Sequence, residues 1–484
     1  MFRTNNKISK KQVSLLVGDI IIIQFAFFIS PIIRMGYDGG INYIFDHPYS
    51  FILSTFIYLI VFYIFDLYDF KKDYRRPKVS LTVAGAVVTA FVICAFLFYL
   101  HGPLKLGRGV FLLNGILILL GIILWRRFYS LLAVRGVFIK RALVVGAGKG
   151  GRQVAQLIRN MPNPDIKLMG FIDKDAKKIG KSIEGVKVLG SEDRLISIVE
   201  EKMPDLIIVA LRPNRYESLM KDLLRCSQKG TEIRDMVSFC EEVSGKISTK
   251  YISNLWLLLS SINQSRLHIK RVKRLMDVSL SILILMVSLP VTLLTALAIK
   301  LDSPGDVFYR QERLGKDGKL FRLIKFRSMV EDAEKETGAV WTEDEDSRIT
   351  RVGRFIRRWR VDEIPQLLNV LKGDMSLVGP RPERGEFVDQ FQEKIPVIIK
   401  GGSPGDSEGT LVEYRERIPY YTQRLSVKPG VTGWAQVTYS YAFSFEQTVE
   451  KLEYDLYYIK NMSLLLDCLI LLKSIRVVLL GKRK

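Results

Sequence analysis

The sequence predicts a membrane α-helical plus α/β protein in three parts. These are four transmembrane helices over residues 1–135, a Rossmann-like parallel-sheet domain over 140–250, and a mostly α monotopic domain over 265–484 that holds a re-entrant helix. Three observations predict this. Four apolar runs open the chain, separated by connections that alternate between basic and nearly uncharged. A glycine-rich turn then follows a strand-like apolar stretch. Last, a fifth apolar run has basic residues at both ends and a proline near its middle.

Composition is consistent with apolar segments joined to water-soluble parts. The chain is 48% hydrophobic, yet 25% of it is charged, so it is not a wholly buried transporter. Its 72 Lys and Arg against 50 Asp and Glu give a formal charge of +22. Such an excess suits nucleic acid, an anionic membrane face or phosphate-bearing substrates. The basic residues crowd beside the apolar runs, which favours the membrane, and no nucleic acid is expected. Cys94, Cys226, Cys240 and Cys468 have no metal-type or paired spacing. They read as structural in a reducing compartment. The first apolar run is too long for a cleavable signal peptide.

The four opening runs lie near residues 13–33, 49–65, 79–100 and 109–125. Each has about the length that crosses a bilayer as a helix, the second near the lower limit. Arg3, Lys7, Lys10 and Lys11 precede the first run. Lys71, Lys72, Arg75, Arg76 and Lys78 fill the second connection, and Arg126, Arg127, Arg135, Lys140 and Arg141 follow the fourth run. The other connections carry only Arg34, or Lys105 and Arg108. The excess of positive charge on one side puts both ends of this block in the cytoplasm. Asp19 lies inside the first run, as a functional group or as a satisfied contact with a neighbouring helix.

Next, Ala142-Leu143-Val144-Val145 reads as a buried strand leading into Gly146-Ala147-Gly148-Lys149-Gly150-Gly151 and a helical stretch. A second strand ends at Asp173, where a ribose-binding acid belongs. Gly146, Gly148 and Gly151 therefore match the G-x-G-x-x-G fingerprint in its proper context. Two readings stay open. The helix N-terminus receives a diphosphate, or the glycines only pack a helix against a strand.

The fifth run covers 275–301. Lys270, Arg271, Lys273 and Arg274 precede it, and Lys300, Arg310 and Arg313 follow. A spanning helix should not be basic at both ends, and Pro290 in Ser288-Leu289-Pro290 kinks a helix. The expectation is a helix that enters and leaves by the cytoplasmic face, with a kinked fifth crossing as the alternative. Beyond 302 the chain is polar and mostly helical in pattern. The stretch 400–413 reads as a mobile glycine-rich loop. The run 464–480, broken by Asp467, Lys473 and Arg476, reads as an interfacial helix.

The densest chemistry is Arg357-Arg358-Trp359-Arg360-Val361-Asp362-Glu363-Ile364-Pro365-Gln366-Leu367, followed by Gly373-Asp374-Met375-Ser376-Leu377-Val378-Gly379-Pro380-Arg381-Pro382. Adjacent carboxylates among arginines suit phosphoryl chemistry. One can attack phosphorus, its neighbour can hold a divalent cation, and arginines clamp phosphate oxygens. Spacing alone does not separate this from a solvated helix face.

Together with Lys273-Arg274-Leu275-Met276-Asp277, Leu301-Asp302-Ser303-Pro304-Gly305, Lys325-Phe326-Arg327-Ser328-Met329 and Val427-Lys428-Pro429-Gly430-Val431-Thr432-Gly433-Trp434-Ala435-Gln436, these motifs resemble the bacterial sugar transferases, or polyprenyl-phosphate glycosylphosphotransferases. The order of parts resembles the large subgroup, and Tyr454-Asp455-Leu456-Tyr457-Tyr458 resembles members serving exopolysaccharide synthesis.

The resemblance implies that Asp362 is the nucleophile and Glu363 its magnesium-binding partner. It places Lys325, Arg327, Arg357 and Arg381 around the substrate phosphates, and makes Ser288 and Pro290 the break in the re-entrant helix. Leu289 departs from the family's adjacent Ser-Pro, and 400–413 is an insertion. The implied reaction moves a sugar-1-phosphate from a UDP-hexose to polyprenyl (undecaprenyl) phosphate through an aspartyl phospho-sugar, with Mg2+, and releases UMP. The implied place is the cytoplasmic face of a bacterial inner membrane, and a homodimer is left open. The rival is a membrane-anchored nucleotide-sugar dehydratase or epimerase. It needs a Tyr-x-x-x-Lys pair inside the Rossmann-like domain, whereas Tyr74 and Lys78 precede that domain.

Overall fold

The computed structural model describes residues 10–68, 77–101, 104, 106–134, 139–161, 166–211, 216–249, 267–331, 333, 346–392, 394–400, 410–416, 418, 420–439 and 445–480. Outside the described residues lie Arg3, Lys7, Lys71, Lys72, Arg75, Arg76, Lys105 and Arg135 of the orienting charges. So do Tyr74 of the rival pair and 401–409 of the glycine-rich stretch. The chain forms two compact units, Met1–Phe239 and Cys240–Lys484.

The first unit opens with α1 (Lys10–Asp46), α2 (Pro48–Ile64), α3 (Pro77–Leu100) and α4 (Arg108–Val134). They pack around Ile23, Phe27, Phe62, Ala86, Ile118 and Ile122. Phe25, Phe56, Val92 and Leu124 face outward and exposed, as lipid-facing positions should. By length and composition α1, α3 and α4 can cross a membrane. At 17 residues, α2 rises only about 25 Å. The first helix runs well past the expected residue 33, with a break at Gly36, whose φ is 77°. Asp19 is a satisfied contact: it pairs with Arg126 of α4 at 2.6 Å, both side chains buried.

A six-stranded sheet follows. It contains β1 (Lys140–Val145), β2 (Ile166–Ile172), β3 (Ser182–Ile183), β4 (Val186–Gly190), β5 (Leu206–Val209) and β6 (Glu232–Asp235), in the order β3-β4-β2-β1-β5-β6. All neighbours pair in parallel except the β3–β4 hairpin. The intervening helices are α5 (Lys149–Arg159), α6 (Leu195–Lys202), α7 (Tyr216–Gln228) and α8 (Met236–Ser244). Without β3, the sequence order of the strands is 3-2-1-4-5, a doubly wound arrangement with β1 at its centre. Residues 142–145 of β1 are fully buried, which is why that stretch is uniformly apolar.

The second unit begins within α8, ahead of the expected boundary at 250. Ile247 donates to the Glu453 carbonyl at 3.0 Å, and the Trp434 indole donates to the Gly245 carbonyl at 2.8 Å. Its further elements are α9 (Leu267–Asp302), β7 (Phe308–Leu314), β8 (Leu320–Phe326), α10 (Arg351–Arg358), α11 (Gln366–Lys372), β9 (Ser376–Val378), α12 (Gly385–Gln392), β10 (Lys394–Lys400), β11 (Thr410–Glu416), β12 (Gly430–Thr432), α13 (Trp434–Thr438), α14 (Phe445–Asn461) and α15 (Leu464–Leu480).

This unit is mostly helical, as expected, with three two-stranded sheets that the sequence reading did not place. Strands β7 and β8 form an antiparallel hairpin, β10 and β11 another, and β9 pairs with β12 in parallel. The expected loop at 400–413 is strand at both ends, with Lys400 opposite Thr410. A second correction concerns α15. Asp467, read as a charge on an interfacial helix, is fully buried and pairs with Lys273 at 2.7 Å. It also accepts from the Tyr458 hydroxyl at 2.8 Å. Burial of a carboxylate is tolerable because both partners satisfy it.

Helix α9 carries the fifth apolar run for 36 residues, and helical structure continues through Pro290 instead of stopping there. Ser288 donates to the Leu285 carbonyl at 3.4 Å, one turn back, and Pro290 is exposed. Both ends of α9 are anchored in this unit. Near the start, Asp277 accepts from the Leu377 backbone N–H at 3.1 Å, and Arg274 donates to the Leu371 carbonyl at 2.8 Å. At the far end, Ile299 packs with Phe326 and Ile356, and Asp302 accepts from the Val352 N–H at 3.1 Å. Between the anchors Leu283, Met286, Val287, Leu289, Leu293 and Leu294 are exposed.

Candidate active site

Three short segments build the site. The first is β8, which carries Lys325 and is followed at once by Arg327. Asn369 of α11 ties it down: the side-chain amide donates to the Arg322 carbonyl at 2.8 Å, and its oxygen accepts from the Ile324 N–H at 3.0 Å. Asn369 is fully buried, so these bonds replace water that cannot reach it.

The second segment is α10 and the turn after it. Thr350 caps α10 by accepting from the Gly353 N–H at 2.9 Å. A side chain at 353 would meet the Ser328 carbonyl oxygen at 2.0 Å, so glycine lets α10 lie against the end of β8. That contact brings Arg357 to the site. After Trp359 the chain turns sharply at Arg360, whose φ is 55°, uncommon for a residue with a side chain. The turn leads into a single 3-10 turn, Val361–Glu363, that presents both carboxylates. Pro365 then opens α11.

The third segment is Pro380-Arg381-Pro382, after β9. Arg381 donates to Glu363 at 3.4 Å and Arg360 donates to it at 3.3 Å, so the Glu363 carboxylate lies between two guanidinium groups.

Electrostatics separates the two acids. Burial pushes the Asp362 pKa above the usual carboxylate range and Glu363 adds to this, against the pull of Lys325, Arg357 and Arg381. Burial acts the same way on Glu363, but there Arg381 and Arg360 overcome it and hold its pKa below the ordinary value. Burial also pushes Lys325 down to about 8, helped by Arg313 and opposed by Asp362. Its ammonium lies 4.9 Å from the centre of the Tyr309 ring.

Asp362, Glu363, Lys325, Arg357 and Arg381 are thus mutually close. Arg327 is not among them. Its guanidinium turns away to the Pro304 carbonyl at 2.5 Å and the Ser303 carbonyl at 2.8 Å, fastening the turn that leaves α9. The glycine-rich turn belongs to the first unit and is described by itself. Gly146 has φ 104°, Gly148 caps α5, and Gly151 lies against the Gly146 carbonyl. The Asp173 carboxylate closes on this turn, accepting from the Ala147 N–H at 2.8 Å, the Asp175 N–H at 2.9 Å and Lys178 at 3.0 Å.

Known proteins share both parts. The family model "Bacterial sugar transferase" matches residues 268–481, and "CoA-binding domain" matches 63–236. A sugar transferase of Bacillus subtilis, EpsL, is 36% identical over 43% of this chain and 88% of its own length. The chain belongs to the bacterial sugar transferase family. The UDP-N-acetylgalactosamine-undecaprenyl-phosphate N-acetylgalactosaminephosphotransferase of Aeromonas hydrophila is 40% identical over 54% of this chain and 55% of its own length. The match therefore spans just over half of that relative. The UDP-glucose:undecaprenyl-phosphate glucose-1-phosphate transferase of Xanthomonas campestris pv. campestris is 28% identical over 88% of this chain and 86% of its own length.

For this bacterial sugar transferase, sequence reasoning missed several residues that shape the site. Arg360 and Asn369 were in view within the motif but without a role. The β7–β8 hairpin had a usable signal in Gly315-Lys316-Asp317-Gly318, where Asp317 and Gly318 both adopt positive φ. Glu383 and Arg424 had none, because their partners lie tens of residues away in sequence.

Proposed function

We propose that the chain transfers a sugar-1-phosphate from a UDP-hexose to undecaprenyl phosphate through a covalent aspartyl intermediate, at the cytoplasmic face of a bacterial inner membrane. The observation that carries this is the carboxylate pair with split electrostatics: Asp362 stands among Lys325, Arg357 and Arg381, and Glu363 is held between Arg360 and Arg381.

In the first half-reaction a carboxylate oxygen of Asp362 attacks the sugar-bearing phosphorus. The phosphoanhydride bond breaks, and UMP leaves with the bonding electrons. In the second, an oxygen of the lipid phosphate attacks the same phosphorus, and the Asp362–phosphorus bond breaks to restore the carboxylate. Lys325, Arg357 and Arg381 offset the charge that builds on the phosphoryl oxygens.

Magnesium fits the donor set. The ion takes one or two carboxylates, with substrate phosphates and water completing its shell. Among the described residues no group of three or more His, Cys, Asp and Glu stands ready to hold a metal alone. Glu363, ionised and only loosely held by its arginines, would be its ligand together with donor phosphate oxygens. When bound, the ion neutralises diphosphate charge and helps UMP depart.

The geometry of α9 supports a re-entrant reading. A crossing helix holds its two ends about 30 Å apart on opposite faces of the hydrocarbon. Here Asp277 and Asp302, near the two ends, both bond to backbone of the same unit, while the apolar middle stays free for lipid. A bend at Pro290 would accommodate this, and the basic residues at both ends agree with it.

In the Rossmann-like domain the Asp173 carboxylate bonds its own glycine turn and Lys178, so it is not free for a ribose. That supports packing over redox cofactor binding and weighs against a dehydratase or epimerase. The test is donor alone. Purified protein with UDP-hexose and Mg2+, without lipid, should release about one UMP per active site, and Asp362→Asn should release none. UMP release that strictly requires lipid acceptor would refute the covalent route.

A further inference from the structure

Arg424 lies among the most buried charged residues of the second unit, 5% exposed, and nothing above gives it a part in the reaction. Its guanidinium is surrounded. It faces Asp455 at 2.9 Å, donates to the Tyr421 hydroxyl at 2.6 Å, and meets Glu383 at 3.4 Å. Lys451 completes the group, pairing with Glu383 at 2.7 Å. Two cations and two carboxylates balance. Burial alone would raise the Glu383 pKa, but Lys451 and Arg424 bring it down to about 2, so Glu383 stays ionised at neutral pH, whereas burial raises Asp455 against the pull of Arg424.

This cluster also holds backbone. Arg424 donates to the Arg381 carbonyl at 3.2 Å. Two residues on, the Glu383 carbonyl accepts from the Leu314 N–H at 3.1 Å, and the Pro380 carbonyl accepts from the Gly430 N–H at 2.9 Å. Prolines on both sides of Arg381 restrict the local φ angles. The segment is thus clamped from behind while the Arg381 side chain points the other way, to Glu363, and stays 38% exposed.

We propose that Arg424 is a positioning residue for Arg381. It fixes the backbone from which Arg381 reaches the donor phosphate, with Glu383 and Asp455 holding Arg424 in turn. The proposal rests on the reading of Arg381 given under Proposed function. A planar fork is needed because Arg424 must meet a backbone carbonyl, two carboxylates and a hydroxyl from one centre. A lysine ammonium has too few directions and too little reach.

The test is a double-mutant cycle on the full-length enzyme in membranes or detergent, read as kcat/KM for UMP release. Arg424→Lys should lower kcat/KM for the donor about 10- to 100-fold, the scale of a small misplacement of a positioning group. In an Arg381→Ala background the same change should cost less than about twofold, because the residue it positions is gone. Tyr421→Phe, which removes one bond and keeps the ring, should show a smaller loss with the same dependence on Arg381. It supplies the answer if Arg424→Lys does not fold. Equal factors in both backgrounds would overturn the proposal and make the cluster a matter of general stability, as would full activity in both variants. If Arg381→Ala itself keeps full activity, the underlying reading of Arg381 fails instead.

Discussion

At Asp362 burial and a neighbouring carboxylate oppose three cations, and the net result is a carboxyl that ionises later than usual. The attack proposed for Asp362 needs the ionised form, so activity should rise with pH through the Asp362 titration. Lys325 titrates the other way. Its pKa is lowered to about 8, so its charge, and with it the hold on the donor proposed for it, should fade as pH climbs past that value. Folding stability has the opposite sign. The fold disfavours charged Lys325, so that penalty is present below about 8 and is relieved between there and the ordinary lysine value of about 10.4. The prediction is a bell-shaped kcat/KM profile whose alkaline limb lies near 8, measured by UMP release. Lys325→Arg should extend that limb upward, and an unchanged limb would detach Lys325 from the donor. Glu363→Gln should lower turnover and raise the Mg2+ concentration needed for half-maximal rate, read by metal titration. That Asp362, Glu363, Lys325, Arg357 and Arg381 lie together was legible through the family resemblance of the contiguous motifs that carry them. Arg327 shares such a motif with Lys325, yet it lies just past the end of β8, and its guanidinium goes to the turn at Ser303 and Pro304 instead. Glu383 and Arg424 were illegible because their meaning comes only from pairing across the fold.

At the scale of elements, α9 depends on its anchors. Asp277 is buried and bonded to the Leu377 N–H. Asp277→Ala would leave that donor unpaired and should destabilise the second unit by roughly 1–3 kcal/mol, measured by thermal or denaturant unfolding in detergent. Asn369→Ala removes the partner of two backbone groups of β8 and should cost more, with activity falling as β8 loosens beside the site. Pro290→Ala should straighten α9 and reduce activity, since a straight helix cannot keep both anchors and dip into lipid. The apolar run and its proline were readable, but not the continuity of the helix across Pro290, because one proline bends a helix as readily as it ends one. The β7–β8 hairpin was overlooked because Gln311 and Arg313 occupy its less exposed face while Phe308 and Leu320 face outward, which disguises its alternation. Asp467 misled for a related reason: a charge in an apolar helix marks solvent unless a distant partner such as Lys273 buries it.

For the whole molecule, the parallel sheet and the apolar runs were visible because both write long periodic patterns into the chain. The second unit carries both ends of α9, and under the proposed function it meets a water-soluble nucleotide sugar, so residues after α9 should lie on the side where that donor is made. A cysteine at exposed Asp306 should be unreactive to a membrane-impermeant thiol reagent in intact cells and reactive in inverted vesicles. Labelling from outside would make α9 a crossing helix. The central claim, however, is covalent. Enzyme mixed with UDP-hexose and Mg2+ in the absence of lipid phosphate, quenched within a turnover and digested, should yield a peptide spanning Asp362 heavier by one hexose phosphate. That mass should be absent from Asp362→Asn and should vanish when undecaprenyl phosphate is added before the quench. An unmodified Asp362 peptide at every quench time, in a preparation that turns over fully once lipid is supplied, would contradict the account and point to direct transfer between donor and lipid.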